Sequence, residues 1–410
     1  MALNIVWFAF FVIAFGVACF KLVVLGDTQV FKTLGDGIFD AAKTSVTDVA
    51  FPLAGAMIFF LGLLNIAEKA GLVRFLSRVL GPFFRRLFPS VPKDHPAIGQ
   101  MVMNFSANLL GLDNAATPFA LKAMDSLQSL NPQKETASDA QIMFLVLHTS
   151  GLTLIPLSIF AYRAGMHSVD PTAIFIPCIV TTVSATLLSI LVMVFVQRIK
   201  IDWVLTASLL ALAALVGGLL WLVAHLSPTE RSNFSQISGN LVLLLVVVGF
   251  ISAGMYKRVP LFEAFVEGAK EGWTVIVRIL PYLVGMLVAV RVFRDCGALD
   301  YVVGGIGWVA HQVGLNTDFI PALPVAIMRP FSASGSRGLM LDVMQHYTPD
   351  SFQGKLACIM QNSAETTFYI IALYFGSVGI KKVRYAVWAG LAADLLGVLC
   401  AIAVAYIFFH

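Results

Sequence analysis

Charged residues are scarce in this chain of 410 residues, since Asp, Glu, Lys and Arg together make up 12% of it. An ordinary soluble domain has about 25%. Hydrophobic residues make up 59%, and the mean hydropathy is +0.86, so the composition predicts a membrane protein. Because one spanning helix needs about 20 apolar residues, the chain is long enough for on the order of ten spans and has no room for a soluble catalytic domain.

Motifs for metals, disulfides and nucleic acids are also missing. The sequence has no Cys-x-x-Cys pair, no His-x-x-x-His spacing and no long basic run. The five cysteines lie in or beside apolar runs, where we interpret them as small buried hydrophobes: Cys19, Cys178, Cys296, Cys358 and Cys400. No set of nucleophile, base and orienting group is recognisable. We therefore expect no enzyme, no cofactor, no metal site and no nucleic-acid partner.

Apolar runs of spanning length predict an all-α polytopic protein with about nine spanning helices. The candidate spans are 3–25, 46–67, 141–162, 172–197, 203–226, 239–256, 273–293, 356–378 and 384–408. Basic clusters follow alternate spans, and the positive-inside rule makes their side cytoplasmic: they are Arg74, Arg78, Arg85 and Arg86; Arg198 and Lys200; Lys257 and Arg258; and Lys381, Lys382 and Arg384. This orientation requires 97–122 and 320–344 to be re-entrant hairpins. It predicts a cytoplasmic N-terminus and an external C-terminus.

The chain contains an internal repeat with an offset near 227 residues. Ala42-Lys43, a span with Pro52 and then Ala70-Gly71 match Ala269-Lys270, a span with Pro281 and then Cys296-Gly297. We expect a first repeat at 1–200, a linking helix and loop at 201–238 and a second repeat at 239–410. Because one extra span separates the repeats, they should be inverted in the membrane, as in many transporters.

A polar segment in the first repeat is the first candidate site. Polar backbone and side chains are tolerated at membrane depth only when buried in protein or lining a watery cavity. A hairpin tip here offers oxygens and amides to a small polar solute or a cation. These groups belong to Asn104, Ser106, Asn108, Asp113, Asn114 and Thr117. Asp113 is the only carboxylate among them. The alternative is that these groups cap two half-helices and satisfy each other.

The second repeat has its polar segment at Arg329 to Gly338. Ser332, Ser334 and Ser336 could expose backbone N–H groups at a helix start, and flanking Arg329 and Arg337 favour an anionic group. The alternative places both arginines at the interface, paired with Asp342 or with lipid headgroups.

A third polar cluster lies inside the predicted span 356–378 and contains Gln361, Asn362, Glu365 and Thr366. A carboxylate at membrane depth is costly unless it is paired, hydrated or protonated, so Glu365 is a functional candidate. Gln361 and Glu365 are predicted to share a helix face. His148 occupies the corresponding place in the first repeat, and the two are candidates for proton or ion coupling. The alternatives are a satisfied core histidine at His148 and, for Asp394 in the last span, a partner on a neighbouring helix.

These motifs resemble a known family. The Asn104 to Pro118 segment resembles spore maturation protein A, and Arg329-Pro-Phe-Ser-Ala-Ser-Gly-Ser with Gln361-Asn-Ser-Ala-Glu-Thr-Thr-Phe resembles spore maturation protein B. The resemblance implies a nucleoside-recognition or Gate domain in each repeat. That domain type also occurs in the membrane part of bacterial ferrous-iron transporters and is similar to the concentrative nucleoside transporters.

The sequence therefore predicts a multi-pass transporter of the bacterial cytoplasmic membrane. Its solute would be small and polar or anionic, either nucleoside-like or a carboxylate, with a coupling cation or proton. A homo-oligomer is compatible with the sequence. The alternative function is a non-transporting scaffold in spore maturation or envelope organisation, whose polar tips would satisfy each other and enclose no solute-sized cavity.

Overall fold

The fold is built from helices, in agreement with the predicted all-α class. A computed structural model describes the backbone of residues 2–111, 113–312, 314 and 316–410. It also describes the side chains of these residues except those of 2–6, 113–115, 228, 229, 232, 278, 279, 282, 300, 302, 303, 306, 307, 309 and 310. Among the described residues the only β-pairing is one isolated bridge, between Thr136 and Lys382.

The described residues of the first half form nine α-helices, followed by one linking helix. They are α1 (Ala2–Leu25), α2 (Val30–Thr44), α3 (Phe51–Lys69), α4 (Leu72–Leu87), α5 (Pro96–Leu109), α6 (Asp113–Leu130), α7 (Asp139–Thr149), α8 (Leu157–Gly165), α9 (Phe175–Val196) and the linking α10 (Trp203–Ala224). A π-helical segment, Ser45–Ala50, joins α2 to α3 without a turn.

The second half follows the same order. Its helices are α11 (Pro228–Tyr256), α12 (Leu261–Asp295), α13 (Ala298–Gln312), α14 (Leu323–Met328), α15 (Ala333–Tyr347), α16 (Phe352–Asn362), α17 (Thr367–Ser377) and α18 (Ala386–Phe409). A short 3-10 turn, Ile320–Ala322, precedes α14. Each half begins with a lead helix, a long helix and a shorter connecting helix. A hairpin, two half-length helices and a last long helix follow.

Within the described part of the chain, six helical segments are long and apolar enough to cross a membrane. They are Trp7–Leu25, Val30–Lys69, Phe175–Val196, Trp203–Ala224, Asn233–Tyr256 and Ala386–Phe409. Their exposed apolar surface, such as Phe195 at 85% and Trp388 at 76%, suits contact with lipid. The chain is thus a multi-pass membrane protein.

Two of the predicted spans differ from expectation because each is interrupted. The run 141–162 is divided between α7 and α8, and the run 356–378 is divided between α16 and α17. The half-helices have 9 to 11 residues, about 14–17 Å at 1.5 Å per residue, or about half of the hydrocarbon thickness. The first break begins at Gly151, whose φ of +61° favours glycine, and ends at Pro156, which has no N–H.

The two halves pack closely through α3 and α12, and glycines permit the approach. A Cβ added to Gly268 would lie 2.5 Å from the carbonyl oxygen of Leu61, and one added to Gly272 would lie 2.8 Å from the Cα of Ile58. Small residues at a helix crossing are the usual way for membrane helices to bring their backbones together.

Arg163 holds two loops of opposite halves together at one end of the bundle. Its fully buried side chain pairs with Asp350 at 2.8 Å and donates to the carbonyl oxygen of Pro349. Partial burial alone would raise the pKa of Asp350. Hydrogen bonds from the hydroxyl of Ser168 and the N–H of Val169, together with Arg163, instead hold that pKa below its usual value.

The opposite end has a comparable set of contacts between the loop before α7 and the loop before α18. Asp139 accepts hydrogen bonds from Arg384 and Tyr385, each at 2.8 Å, and the N–H of Ala137 donates to the carbonyl oxygen of Lys382 at 2.9 Å. Burial and the contact with Asp139 raise the pKa of Tyr385 to about 12.

Candidate functional site

The tip of the first hairpin, between α5 and α6, rests on the break between α7 and α8. Gly111 at this tip has a φ of +74°, and a Cβ there would lie 3.2 Å from the carbonyl oxygen of Ile155. The N–H of Leu154 in the break donates to the carbonyl oxygen of Leu109 at 3.0 Å. Unpaired backbone groups of the hairpin and of the broken span thus satisfy each other, which makes both tolerable at membrane depth.

The second hairpin, between α14 and α15, makes the equivalent contact with the break between α16 and α17. The N–H of Phe368 donates to the carbonyl oxygen of Pro330 at 3.0 Å. Arg329 adds a side-chain contact, since its Nε donates to the carbonyl oxygen of Ala364 at 2.6 Å. Each hairpin is therefore bonded to the break of its own half.

The two breaks also contact each other. The N–H of Glu365 donates to the carbonyl oxygen of Thr149 at 2.8 Å. A Cβ on Gly151 would lie 3.1 Å from the Cα of Ala364. The backbones of the two halves consequently meet in the middle of the bundle. A side chain at position 151 would crowd the backbone of the second break.

A cavity of about 200 Å³ lies where the hairpins and breaks meet. Of the predicted site residues whose side chains are described, seven line it: Asn108, Thr117, His148, Arg329, Gln361, Asn362 and Glu365. They come from both hairpins and both broken spans. The sequence therefore identified groups that lie far apart in the chain and close together in the fold.

Three other predicted residues, Asn104, Ser106 and Thr366, are buried outside the cavity lining. The Nδ2 of Asn104 donates to the carbonyl oxygen of Ala116, which ties the two arms of the first hairpin. Ser106 is buried with its Oγ 3.4 Å from that of Ser77. Thr366 is buried beside the second break, and its hydroxyl has no partner among the described residues.

The serines of the second hairpin mainly order the hairpin itself. Ser332 caps α15 by accepting from the N–H of Gly335 at 3.0 Å, and the Oγ of Ser334 lies 3.3 Å from that of Ser332. Ser336 donates to the carbonyl oxygen of Val325 and contacts Gln361 at 2.5 Å. The capping that the sequence offered as an alternative for the first hairpin is thus observed in the second.

Two predicted ligands of the first hairpin, Asp113 and Asn114, have side chains that lie outside the described part of the structure. Their backbone forms the first turn of α6. Their role as solute or ion ligands stays a prediction.

His148 and Glu365 both line the cavity, but each has its own partners. The Nδ1 atom of His148 lies 2.5 Å from the hydroxyl of Tyr374, 3.3 Å from the Oδ1 of Asn104 and 3.4 Å from the Nδ2 of Asn108. The carboxylate of Glu365 lies 3.4 Å from the guanidinium of Arg329, and its side chain is 38% exposed. Glu365 is thus paired with Arg329 and still partly exposed to the cavity.

The expectation that Gln361 and Glu365 share a helix face was wrong, because α16 ends at Asn362 and Glu365 lies in the break. The proposed pairing of Asp342 with Arg329 or Arg337 was also wrong. Asp342 pairs with Arg294 from α12, an arginine at the end of a predicted span.

Several residues of the site were missed by the sequence. Tyr162 lies under the guanidinium of Arg337, with 5.3 Å from the ring centre to Cζ, and Tyr374 contacts His148. Both sit inside apolar runs, where nothing in the local pattern separates them from core aromatic residues. Asp394 was not missed: the partner on a neighbouring helix that the sequence offered for it is Thr367 of α17, whose hydroxyl donates to the carboxylate of Asp394 at 2.6 Å, and Asp394 is 5% exposed.

Comparisons with known proteins agree with this repeated architecture. The profile of the Gate family, described as nucleoside recognition, matches residues 50–166 and 276–381, which is more than half of the chain. Spore maturation protein B of Bacillus subtilis (strain 168) is 42% identical over 165 residues, which cover 40% of this chain and 91% of that protein. Spore maturation protein A of the same organism is 39% identical over 179 residues, which cover 44% of this chain and 87% of that protein. The resemblance to both proteins that the motifs indicated is confirmed.

Proposed function

We propose that this chain, which belongs to the Gate family, is a transporter that carries a small polar or anionic solute across the bacterial cytoplasmic membrane by alternating access. The observation that supports this most is the cavity of about 200 Å³ bounded by both hairpins and both broken spans. Ligand sites at the interface of two repeats, lined by discontinuous helices, are typical of secondary transporters.

The proposal includes an inverted relation between the repeats, with the N-terminus cytoplasmic and the C-terminus external. Each hairpin bonds the break of its own half through one main-chain contact, Leu154 to Leu109 and Phe368 to Pro330. Each also leads into a loop that binds the other half. The loop after the first hairpin binds residues before α18, and the loop after the second contains Asp350, which binds Arg163. If the repeats are inverted, the two sets of contacts lie on opposite membrane faces.

Coupling to an ion or a proton is assigned to Glu365 and His148. Glu365 alternates between its contact with Arg329 and a solute or proton, which its partly exposed carboxylate allows. His148 contacts the first hairpin through Asn104 and Asn108 and contacts α17 through Tyr374. A proton taken up or released at Nδ1 would change all three contacts, and with them the position of the hairpin relative to α17.

A scaffold without transport predicts that the polar tips satisfy each other and enclose no solute-sized space. Buried groups in the middle of the bundle are instead left without partners among the described residues, as for the Nδ2 of Asn362, which lines the cavity. Buried polar atoms normally have a partner in the protein or in ordered water. A bound solute would supply the missing partner, and this explanation favours a transporter over a scaffold.

Flux measurements with purified protein in vesicles test the proposal. The solutes to test are those that stabilise the purified protein. Such a solute, loaded into the vesicles, should exchange in counterflow, and an imposed pH gradient should drive its accumulation. If Glu365 carries the coupling proton, Glu365→Gln keeps exchange and abolishes accumulation, because the amide fixes the uncharged state. Loss of all binding would make Glu365 a direct ligand, and wild-type behaviour in both assays would remove it from the site. If no solute stabilises the protein and none is exchanged, the result would favour the scaffold.

A further inference from the structure

We propose that the solute is a singly charged anion whose acidic group binds the guanidinium of Arg337. The inference rests on the proposed transport function and narrows its substrate class. The two arginines that line the cavity, Arg329 and Arg337, have different surroundings.

Arg329 already has its partners within the protein. Its Nε donates to the carbonyl oxygen of Ala364 at 2.6 Å, its guanidinium lies 3.4 Å from the carboxylate of Glu365, and the residue is 7% exposed. A guanidinium held by a backbone carbonyl and a carboxylate links the second hairpin to the second break. Its charge is compensated before any solute enters.

Arg337 has no such compensation. It lies one helical turn beyond Ala333 on α15, against the ring of Tyr162, and forms no ion pair with any described carboxylate. Asp342, the acidic residue of the same helix, is bound to Arg294. Contact with an aromatic ring offsets only part of the cost of removing a cation from water. The planar guanidinium also presents two parallel N–H groups that match a carboxylate or a phosphate.

The charge of the lining favours a ligand of matching charge. Among the described lining residues, Arg329, Arg337 and an ionised Glu365 carry two positive charges and one negative charge, a net charge of plus one. Protonation of His148 would increase this excess. A monoanion neutralises the cavity, a dianion reverses its sign, and an uncharged nucleoside leaves the guanidinium of Arg337 without a counter-charge.

The hydrogen-bonding groups and the size agree with a small acceptor-rich solute. The Nδ2 of Asn362 is a buried donor in the lining with no partner among the described residues. It can donate to the acid itself or to a neighbouring carbonyl or hydroxyl of the solute. A volume of about 200 Å³ is below the range of about 300–1,000 Å³ that holds drug-sized ligands, which favours a short organic acid.

Matched acids and amides test the proposal on the intact protein. Thermal unfolding of purified protein is measured with acetate, lactate and propionate, with the amide of each, with succinate as a dianion, with inorganic phosphate and with uridine. We expect at least one of the short monoacids to stabilise the wild type and its amide to have no effect. Arg337→Gln should weaken that acid at least about tenfold, as expected for lost hydrogen bonds to a charged group, and Arg337→Lys should retain part of the binding. Arg85→Gln, on helix α4 and outside the lining of the cavity, is the matched control and should bind as the wild type does.

The outcomes separate this inference from the transport function. If uridine or an amide stabilises the wild type and Arg337→Gln equally, the solute is neutral and the inference is overturned while transport stands. If succinate stabilises more than every monoacid, the assignment of a single charge is overturned, and if no organic anion stabilises, the assignment of the class is overturned. Binding of inorganic phosphate alone, lost in Arg337→Gln, would contradict the organic acid and keep the role of Arg337.

The acid and amide comparison needs no variant, so a folding defect in Arg337→Gln leaves the test decisive. Failure of transport itself would appear as access to the cavity from one side only.

Discussion

Replacement of Arg163 by methionine should destabilise the protein strongly. Methionine keeps most of the length of the side chain and removes the charge. The loss affects two carbonyl oxygens from the first half, of Pro171 and Asp170, at 3.1 and 3.0 Å. It also affects two acceptors from the second half, the carbonyl oxygen of Pro349 at 2.5 Å and Asp350 at 2.8 Å.

The expected magnitude follows from burial. Removal of one partner of a buried ion pair costs about 3–5 kcal/mol, because the other is left uncompensated. Arg163 is fully buried but the side chain of Asp350 is 33% exposed, so water screens part of the loss and the expected value is near the low end, about 3 kcal/mol. Lys381→Gln is the control, since its pair with Glu135 has side chains that are 72% and 62% exposed and should contribute about 0–1 kcal/mol.

The assay is denaturant unfolding in detergent, with a double-mutant cycle that adds Asp350→Asn. Because the folded-state pKa of Asp350 is lowered, its contribution is present above the unfolded pKa of about 3.9. That contribution is lost as the pH falls through the lower folded value. The stability difference between wild type and Asp350→Asn should thus be constant from neutral pH to about pH 4 and should shrink below it. An Arg163→Met variant within about 1 kcal/mol of wild type, or no coupling in the cycle, would refute the reasoning.

Three further results are expected. Single cysteines at Gln133 and Val169 should react with an impermeant reagent from the cytoplasmic and the external side respectively, and reaction of both from one side would contradict the inverted repeat. Gly268→Ala should destabilise by about 1–3 kcal/mol through its clash with the carbonyl oxygen of Leu61, whereas Gly217→Ala, which meets nothing within 4 Å, should be neutral or stabilising. Asn108→Ala should leave a folded protein that has lost stabilisation by solute, and a drop in the stability of the unliganded protein alone would favour a purely structural role.

The sequence predicted the hairpins because Asn, Ser and Gly clusters at membrane depth have few explanations other than re-entrant backbone. It did not predict the breaks after Thr149 and Asn362, since the flanking runs are apolar and together long enough for continuous spans. The break after Asn362 is stabilised by a distant partner, the carbonyl oxygen of Thr149 that accepts from the N–H of Glu365. Local patterns carry no information about such a partner.

The same limit applies to side chains in the site. Arg329 and Arg337 flank one Ser/Gly cluster and are equivalent in the sequence, but Ala364 and Glu365 bind only Arg329. Ser336 was predicted to face a solute and instead bonds Val325 and Gln361. The packing of helices from both halves determines which polar residues face a cavity and which bond to the surrounding helices.

Access to the cavity from each side of the membrane tests the central claim most directly, because it requires no knowledge of the solute. The measurement uses Thr153→Cys, a lining position, in a variant with the five native cysteines replaced, reconstituted in vesicles and treated with an impermeant thiol reagent from either side. Alternating access predicts modification of Cys at position 153 from both sides. Modification from one side only, or from neither, would contradict a transporter.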